Sequence, residues 1–247
     1  MKLAVIGDPI EHSASPLLHR ILMTEHAVEG TYEAIQVRAG ECLRAVERLR
    51  AEGYRGLNVT TPLKEEAFAA CEHRDEVARR AGSVNTILFE PNGPTLGCNT
   101  DGLGALQALT EALGENELPH GTRILLLGAG PTARACAYVF SRIGWARVFL
   151  WNRTPERARV LAERYVLNVW DGEPVEAALS ALPPNAALDQ GVRAALVAAP
   201  VIMDANYGPR ASLAADLGRD VIDGLPMLRA SARASFELFV DAEHRHP

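Results

Sequence analysis

Short apolar runs alternate with amphipathic helical stretches along almost the whole chain, and this alternation restricts the fold more than any other feature. KLAVIG (2–7), TYEAIQV (31–37) and YRGLNVT (54–60) read as strands. SPLLHRILMTEHA, GECLRAVERLRAEG and PLKEEAFAACE read as the helices between and after them. VNTILFE and PTLGCNT read as two strands joined by a PNG turn at 91–93, followed by the helix GLGALQALTEALG. NELPHGT (116–122) reads as a surface connection. A second block then starts: TRILLLG, PTARACAYVFSRIG, ARVFLWN and PERARVLAERY are strand, helix, strand, helix. Beyond 166 the pattern weakens. VLNVWDG, PVIMDAN and RDVID read as strands, EPVEAALSAL as a short helix, and LPMLRASARASFELFVDA as a long terminal helix. Repeated βα units predict an α/β fold with parallel sheets covered by helices, and two such blocks predict two domains with a cleft between them.

Composition removes several classes of function. The net charge is −6 with acids and bases interspersed, which argues against a nucleic-acid partner or a polybasic membrane surface. Apolar stretches such as ILLLGAG are too short and too broken by glycine for a membrane span. MKLAVIGDPI is too short for a secretory signal and reads as a first strand. Cys42, Cys71, Cys98 and Cys136 form no CxxC pair, which predicts buried thiols in a reducing cytoplasm. No His/Cys/Asp cluster has ligand spacing, so no metal is expected.

The stretch ILLLGAGPTARACA places Gly128, Gly130 and Ala133 in G-x-G-x-x-A spacing, after a strand and at the opening of a helix. Gly128 permits a tight turn, Gly130 lets a pyrophosphate approach the backbone, and Ala133 lets helix pack closely on strand. A plain glycine-rich turn is the alternative. The next strand ends in WNRT, where an NAD site usually carries Asp or Glu. Asn152, Arg153, Thr154 and Arg157 stand there instead. Guanidinium groups bind a 2′-phosphate that a carboxylate would repel, so NADP is favoured over NAD. A solvated basic helix start is the competing reading.

In LNVTTPLKEEA, Thr61 reads as an N-cap and Pro62 as the first helical residue, which puts Lys64 in the first turn. A cation there is disfavoured by roughly 0.3–1 kcal/mol. The same field favours the neutral amine, which suits acid–base work. Asp101 in CNTDGLG stands at another helix start, where an anion is favoured. Ser13, Ser15, Asn58, Thr60, Asn85 and Thr86 supply neutral hydrogen-bonding groups suited to a small polyhydroxylated substrate. Taken singly, Ser15 also reads as a helix cap, Thr100 or Asp101 as another, and Lys64 as a solvated charge.

The ordered set HSASP, NVTTPLK, GSVNT, NTDG, GAGPTAR, WNRT and IDGLPML resembles the shikimate dehydrogenase family over nearly the whole chain. The resemblance implies an N-terminal α/β substrate-binding domain (1–100 and 225–247), a Rossmann NADP domain (101–224) and a last helix returning to the first domain. It implies NADP-dependent reduction of 3-dehydroshikimate to shikimate on the route to chorismate and the aromatic amino acids. Lys64 would be the acid–base group and Asp101 its partner. Ser13 and Ser15 would hold the substrate carboxylate; Asn58, Thr60, Asn85 and Asp101 its hydroxyls. Tyr207 matches a tyrosine near the substrate. Gly128, Ala129, Gly130, Pro131, Thr132 and Ala133 would meet the cofactor. Asn152, Arg153, Thr154 and Arg157 match the 2′-phosphate grip, and Gly224 a position near the nicotinamide. The family includes monomers and homodimers.

The chain departs from the family at four places. Ser231 replaces a substrate-contacting Gln, and Pro131 replaces a Gly and removes a backbone N–H. The N-A-T-x-x-G-M segment is missing from AALDQGVRAALVAAPVIMDANYG, where AAL reads as a strand, and the sequence runs to FELFVDAEHRHP where most members continue for another helix. These departures motivate two alternatives: a divergent quinate/shikimate-type dehydrogenase, and a non-catalytic ligand-binding relative with impaired cofactor binding.

Overall fold

The computed structural model describes residues 1–90, 93–115, 117–144 and 146–245. Pro91 and Asn92 of the expected PNG turn, and Asn116 of the expected connection, lie outside them. The chain divides into two units, Met1–Thr100 with Ser231–Pro247, and Asp101–Ala230. The second division therefore falls inside the terminal helix, Leu225–Arg245, and not at its start.

The first unit is built on a six-stranded sheet. Its strands are β1 (Lys2–Gly7), β2 (Thr31–Gln36), β3 (Gly56–Val59), β4 (His73–Arg74), β5 (Thr86–Phe89) and β6 (Thr95–Cys98), in the order β2-β1-β3-β5-β6-β4. Strands β2, β1 and β3 run parallel, while β5 is antiparallel to both β3 and β6. Four helices accompany it: α1 (Ser15–Glu25), α2 (Cys42–Ala51), α3 (Lys64–Ala70) and α4 (Glu76–Ala81).

Side chains of a strand alternate between faces, and here both faces are buried. Ala4 and Ile6 join Leu57, Val59, Leu49, Ile87 and Phe89 in one core. Leu3 and Val5 join Leu22, Met23, Tyr32, Leu88, Phe236 and Phe239 in the other, so the terminal helix completes that layer. Each buried Val, Leu, Ile, Met or Phe among them stabilises the fold by roughly 1.5–3 kcal/mol. Cys42, Cys71, Cys98 and Cys136 are all free and buried. Burial chiefly pushes the first three thiols up to about 12.

One member of the second core is titratable. His19 is 1% exposed and stacks on Tyr32, with ring centroids 4.1 Å apart. Phe236 and Phe239 lie 6.1 and 6.2 Å away. Burial lowers its imidazole from 6.5 to about 3. Above pH 6.5 neither the folded nor the unfolded chain is protonated there. Between 6.5 and about 3 the unfolded chain takes a proton that the folded one refuses. Stability is therefore lost as pH falls through that window, by about 1.4 kcal/mol per unit below 6.5. Urea midpoints at pH 7 and pH 5 should differ by about 2 kcal/mol of stability from this group. His19→Leu should remove that difference. A variant that keeps the full difference would place its origin elsewhere.

The second unit holds a fully parallel sheet: β7 (Arg123–Leu127), β8 (Arg147–Trp151), β9 (Asn168–Val169), β10 (Ala177–Ser180) and β11 (Val201–Asp204), in the order β11-β10-β7-β8-β9. Its helices are α5 (Asp101–Ala112), α6 (Pro131–Ser141), α7 (Pro155–Tyr165), α8 (Gln190–Ala198) and α9 (Leu213–Leu217). The strand order reverses between β7 and β10, which makes their C-terminal ends the topological switch point of a doubly wound sheet. Gly102 lets α5 lie against α6, because a Cβ there would meet the Ala135 carbonyl oxygen at 2.5 Å.

Several expectations require correction. EPVEAALSAL is not a helix; its Ala177–Ser180 portion is β10, a central strand. Its Ala, Leu and Glu content favours helix, but all four strand residues are buried between β7 and β11, and tertiary burial overrides propensity. AAL at 186–188 is not a strand. RDVID contributes only an isolated bridge between Ile222 and Met203. Thr61 does not cap α3. The helix begins at Lys64, after a turn in which the Leu63 N–H donates to the Thr60 carbonyl at 2.9 Å. A proline disfavours helical backbone in the residue before it, so Thr61 stays outside. Ser15 is the first residue of α1 and not its cap.

Candidate active site

In the first unit several of the residues singled out in the sequence follow the C-terminal ends of β1 and β3, the edge where ligands of parallel α/β sheets bind. The loops leaving these two strands touch. The Asp8 N–H donates to the Thr61 carbonyl at 3.1 Å, and Thr60 donates its N–H to Ile6 at 2.9 Å. Ser13 and Ser15 follow β1. The Ser13 hydroxyl accepts the Ser15 N–H at 3.3 Å, while Ala14 stands at the N-cap of α1, which no side chain caps. Ser15 is buried and Ser13 half-buried.

Lys64 follows β3 and is half-buried. Its main chain is anchored, because its carbonyl accepts the Val84 N–H at 2.9 Å, directly before Asn85. Two residues on, the Glu66 carboxylate accepts N–H groups from Gly40 at 2.9 Å and Cys42 at 3.3 Å, which fixes α3 to the start of α2. The lysine is thus held at a defined point beside the Asn85 segment.

Asn58 alternates with the core residues Leu57 and Val59, so its side chain leaves the sheet on the opposite face. There its Nδ2 donates to Thr86 Oγ1 at 3.2 Å and to the Asn85 carbonyl at 3.4 Å. The Asn85 amide is saturated. Its Nδ2 donates to Thr100 Oγ1 at 3.1 Å and Ser231 Oγ at 3.4 Å, and its Oδ1 accepts from the Thr100 N–H and Thr86 Oγ1, both at 3.0 Å. Ser231 is buried, with its hydroxyl 2.8 Å from that of Thr100. The residue expected to replace a substrate-binding Gln is bound into the wall formed by Asn85 and Thr100. Sequence reasoning missed Tyr32, whose hydroxyl donates to Asn58 at 2.7 Å. It lies in an unremarkable run, TYEAIQ, with no local pattern to mark it.

In the second unit Leu127, Trp151, Ser180 and Asp204 stand in register at the strand ends. Gly128 follows Leu127 with φ +115°, a conformation that L side chains rarely adopt. A Cβ there would meet the Ala181 oxygen at 3.0 Å and Ala133 Cβ at 3.5 Å. Gly130, by contrast, faces open space, and no side chain caps α6, which opens with Pro131 and Thr132. An open glycine backbone at an uncapped helix start fits a pyrophosphate. Asp101 is buried at the start of α5, and Thr132 Oγ1 donates to its Oδ2 at 3.4 Å. Asn152 Nδ2 closes a turn onto the Thr154 carbonyl at 3.0 Å. Arg153, Thr154 and Arg157 are exposed at the start of α7, which no side chain caps. Two guanidinium groups and an uncapped helix start fit the extra phosphate of NADP.

Gly224 donates its N–H to Asn206 at 2.9 Å and lies against the loop after β11. That loop also carries Tyr207, which is half-buried. The segment leaving β10 is Ala181–Asp189, and its sequence ALPPNAALD contains no N-A-T-x-x-G-M. It adjoins the glycine loop all the same: the Ala181 N–H donates to the Leu127 carbonyl at 2.9 Å. Asp189 caps α8 and accepts a hydrogen bond from Trp151 Nε1 at 3.2 Å. Among the described residues, no group of three His, Cys, Asp or Glu could hold a metal ion, and no helix is long and apolar enough to cross a membrane.

Residues 5–87 match the family model of the shikimate dehydrogenase substrate binding domain, and residues 112–182 that of shikimate / quinate 5-dehydrogenase. The NADP(+) shikimate dehydrogenase of Rhodospirillum rubrum is 36% identical, over 94% of this chain and 89% of that protein. The structure of the Thermus thermophilus shikimate 5-dehydrogenase in complex with NADP(H) and shikimate superimposes with a TM-score of 0.79 at 31% identity, covering 98% of this chain and 94% of that one. An Ael1 enzyme from Pseudomonas putida gives a TM-score of 0.84 at 29% identity, covering 96% of this chain and 92% of that one.

Proposed function

The chain belongs to the shikimate dehydrogenase family, and from that membership we propose that it interconverts 3-dehydroshikimate and shikimate with NADP, with Lys64 as the acid–base group and Asp101 as its carboxylate partner. The observation that supports the assignment of Lys64 is its anchorage: a half-buried residue whose main-chain carbonyl is held by the Val84 N–H, next to Asn85 and four residues after Thr60. When bound, NADPH supplies the hydride. Lys64 delivers the proton to the carbonyl oxygen as it becomes a hydroxyl, and in the reverse direction removes it. Ser13 and Ser15 hold the substrate carboxylate. Asn58, Thr60 and Asn85 orient the ring hydroxyls, and Tyr207 completes the substrate contacts. Asn85 can take a hydroxyl only as one of its present partners lets go. Ser231 acts through Asn85 and Thr100.

Gly128 to Ala133 hold the pyrophosphate, Asn152, Arg153, Thr154 and Arg157 the 2′-phosphate, and Gly224 lies near the nicotinamide. The product class places the protein in aromatic biosynthesis, and the buried free thiols fit a reducing cytoplasm.

Absorbance at 340 nm tests the reading. Shikimate with NADP should give a steady rise, and with NAD a much slower one. Quinate in place of shikimate should be the poorer substrate; a higher kcat/KM with quinate would reassign the substrate. No turnover with any pairing, together with no calorimetric binding of NADPH, would leave only a non-catalytic relative.

A further inference from the structure

Tyr32 lies outside every motif quoted above, yet it makes the shortest link in the polar network behind the proposed substrate site. Its hydroxyl donates to Asn58 Oδ1 at 2.7 Å, and the other end of that amide donates to Thr86 and to the Asn85 carbonyl. The two ends of an asparagine amide are nearly the same shape, so its partners decide which one a ligand meets. Here a donor holds the oxygen, and two acceptors hold the nitrogen. Both Nδ2 hydrogens are used, while Oδ1 has accepted one bond and keeps a second lone pair.

The tyrosine is itself held in place. Its ring is 4% exposed and lies nearly parallel to the His19 ring, at 11° and a centroid distance of 4.1 Å. His19 Nδ1 is buried with no hydrogen-bond partner among the described residues. Stacking, and not hydrogen bonding at that nitrogen, is the contact His19 makes with Tyr32, with Phe236 and Phe239 packed beside it.

We propose that Tyr32 is a positioning residue for the substrate: braced by His19, it fixes the Asn58 amide so that Oδ1 is the atom offered, as an acceptor, to a substrate hydroxyl. The proposal rests on the reading that Asn58 binds substrate. Tyr32→Phe keeps the ring and the stack and removes one O–H. Its KM for shikimate should rise roughly fivefold to twentyfold, with kcat within about threefold and the KM for NADP unchanged. Asn58→Ala should raise the same KM, and the double variant should be no worse than Asn58→Ala alone, because the hydroxyl acts through that amide. Thr86→Val, which removes another partner of the amide, should shift the KM in the same direction. A Tyr32→Phe protein with the parental KM, beside an impaired Asn58→Ala, would overturn the role of Tyr32 and leave that of Asn58. An Asn58→Ala protein with the parental KM would overturn both. Loss of stability with equal damage to both KM values would reduce Tyr32 to a packing residue.

Discussion

Lys64→Ala turns over shikimate with NADP roughly 10²–10⁴ times more slowly than the parent, and it stays folded. The two halves of this expectation have separate causes. The rate falls because no other proton donor has been assigned to the substrate oxygen. The fold survives because Lys64 is held through its main-chain carbonyl, which alanine retains, and α3 is fixed by Glu66. Removing a cation from a helix start relieves an unfavourable interaction of roughly 0.3–1 kcal/mol, so the thermal midpoint should hold or rise slightly. Lys64→Arg separates charge from proton transfer. A guanidinium keeps the charge and does not give up its proton, so this variant should be nearly as slow as the alanine one. Steady-state rates and unfolding curves on the three proteins decide the matter. Near-parental turnover in Lys64→Ala would remove the lysine from the chemistry.

The double variant Arg153→Ala, Arg157→Ala loses NADP and not catalysis. Each guanidinium is exposed, so its charge-assisted bond to the 2′-phosphate is taken at the lower end, about 1.5 kcal/mol. Two such losses sum to about 3 kcal/mol, a rise of roughly a hundredfold in the KM for NADP. The KM for NAD, which lacks that phosphate, should hardly move, and the preference for NADP should shrink by the same factor. The effect should weaken in high salt, because screening acts on exposed charges. An equal rise for both cofactors would show that these residues hold the α7 start and not the phosphate.

The polar residues of the first unit were legible because they sit in short segments next to strand ends, where sequence neighbours remain spatial neighbours. NVTTPLK and GSVNT meet through bonds that register alone dictates, with Asn58 opposite Thr86. The glycine loop was legible for a similar reason: its spacing encodes backbone geometry directly, and Gly128 has the positive φ that the motif implies. The strand β10 was not legible. Four consecutive buried residues carry no period, and only the neighbours on both sides make AALS a strand. The true start of α3 was hidden because a Thr-Pro pair can open a helix or precede one. Tyr32 and the tie between Ser231 and Thr100 were invisible, because no pattern in TYEAIQ marks the tyrosine and nothing in the terminal helix points Ser231 at Thr100.

The terminal helix supplies Ala232, Phe236 and Phe239 to a core whose other buried residues all precede position 100. The unit that contains Lys64 is therefore built from Met1–Thr100 and Ser231–Pro247, with Asp101–Ala230 inserted between them in the chain. As the polypeptide leaves the ribosome, the inserted body has its whole sequence while its host still lacks a wall. The core that takes Phe236 and Phe239 is thus the last to receive all of its side chains as synthesis proceeds.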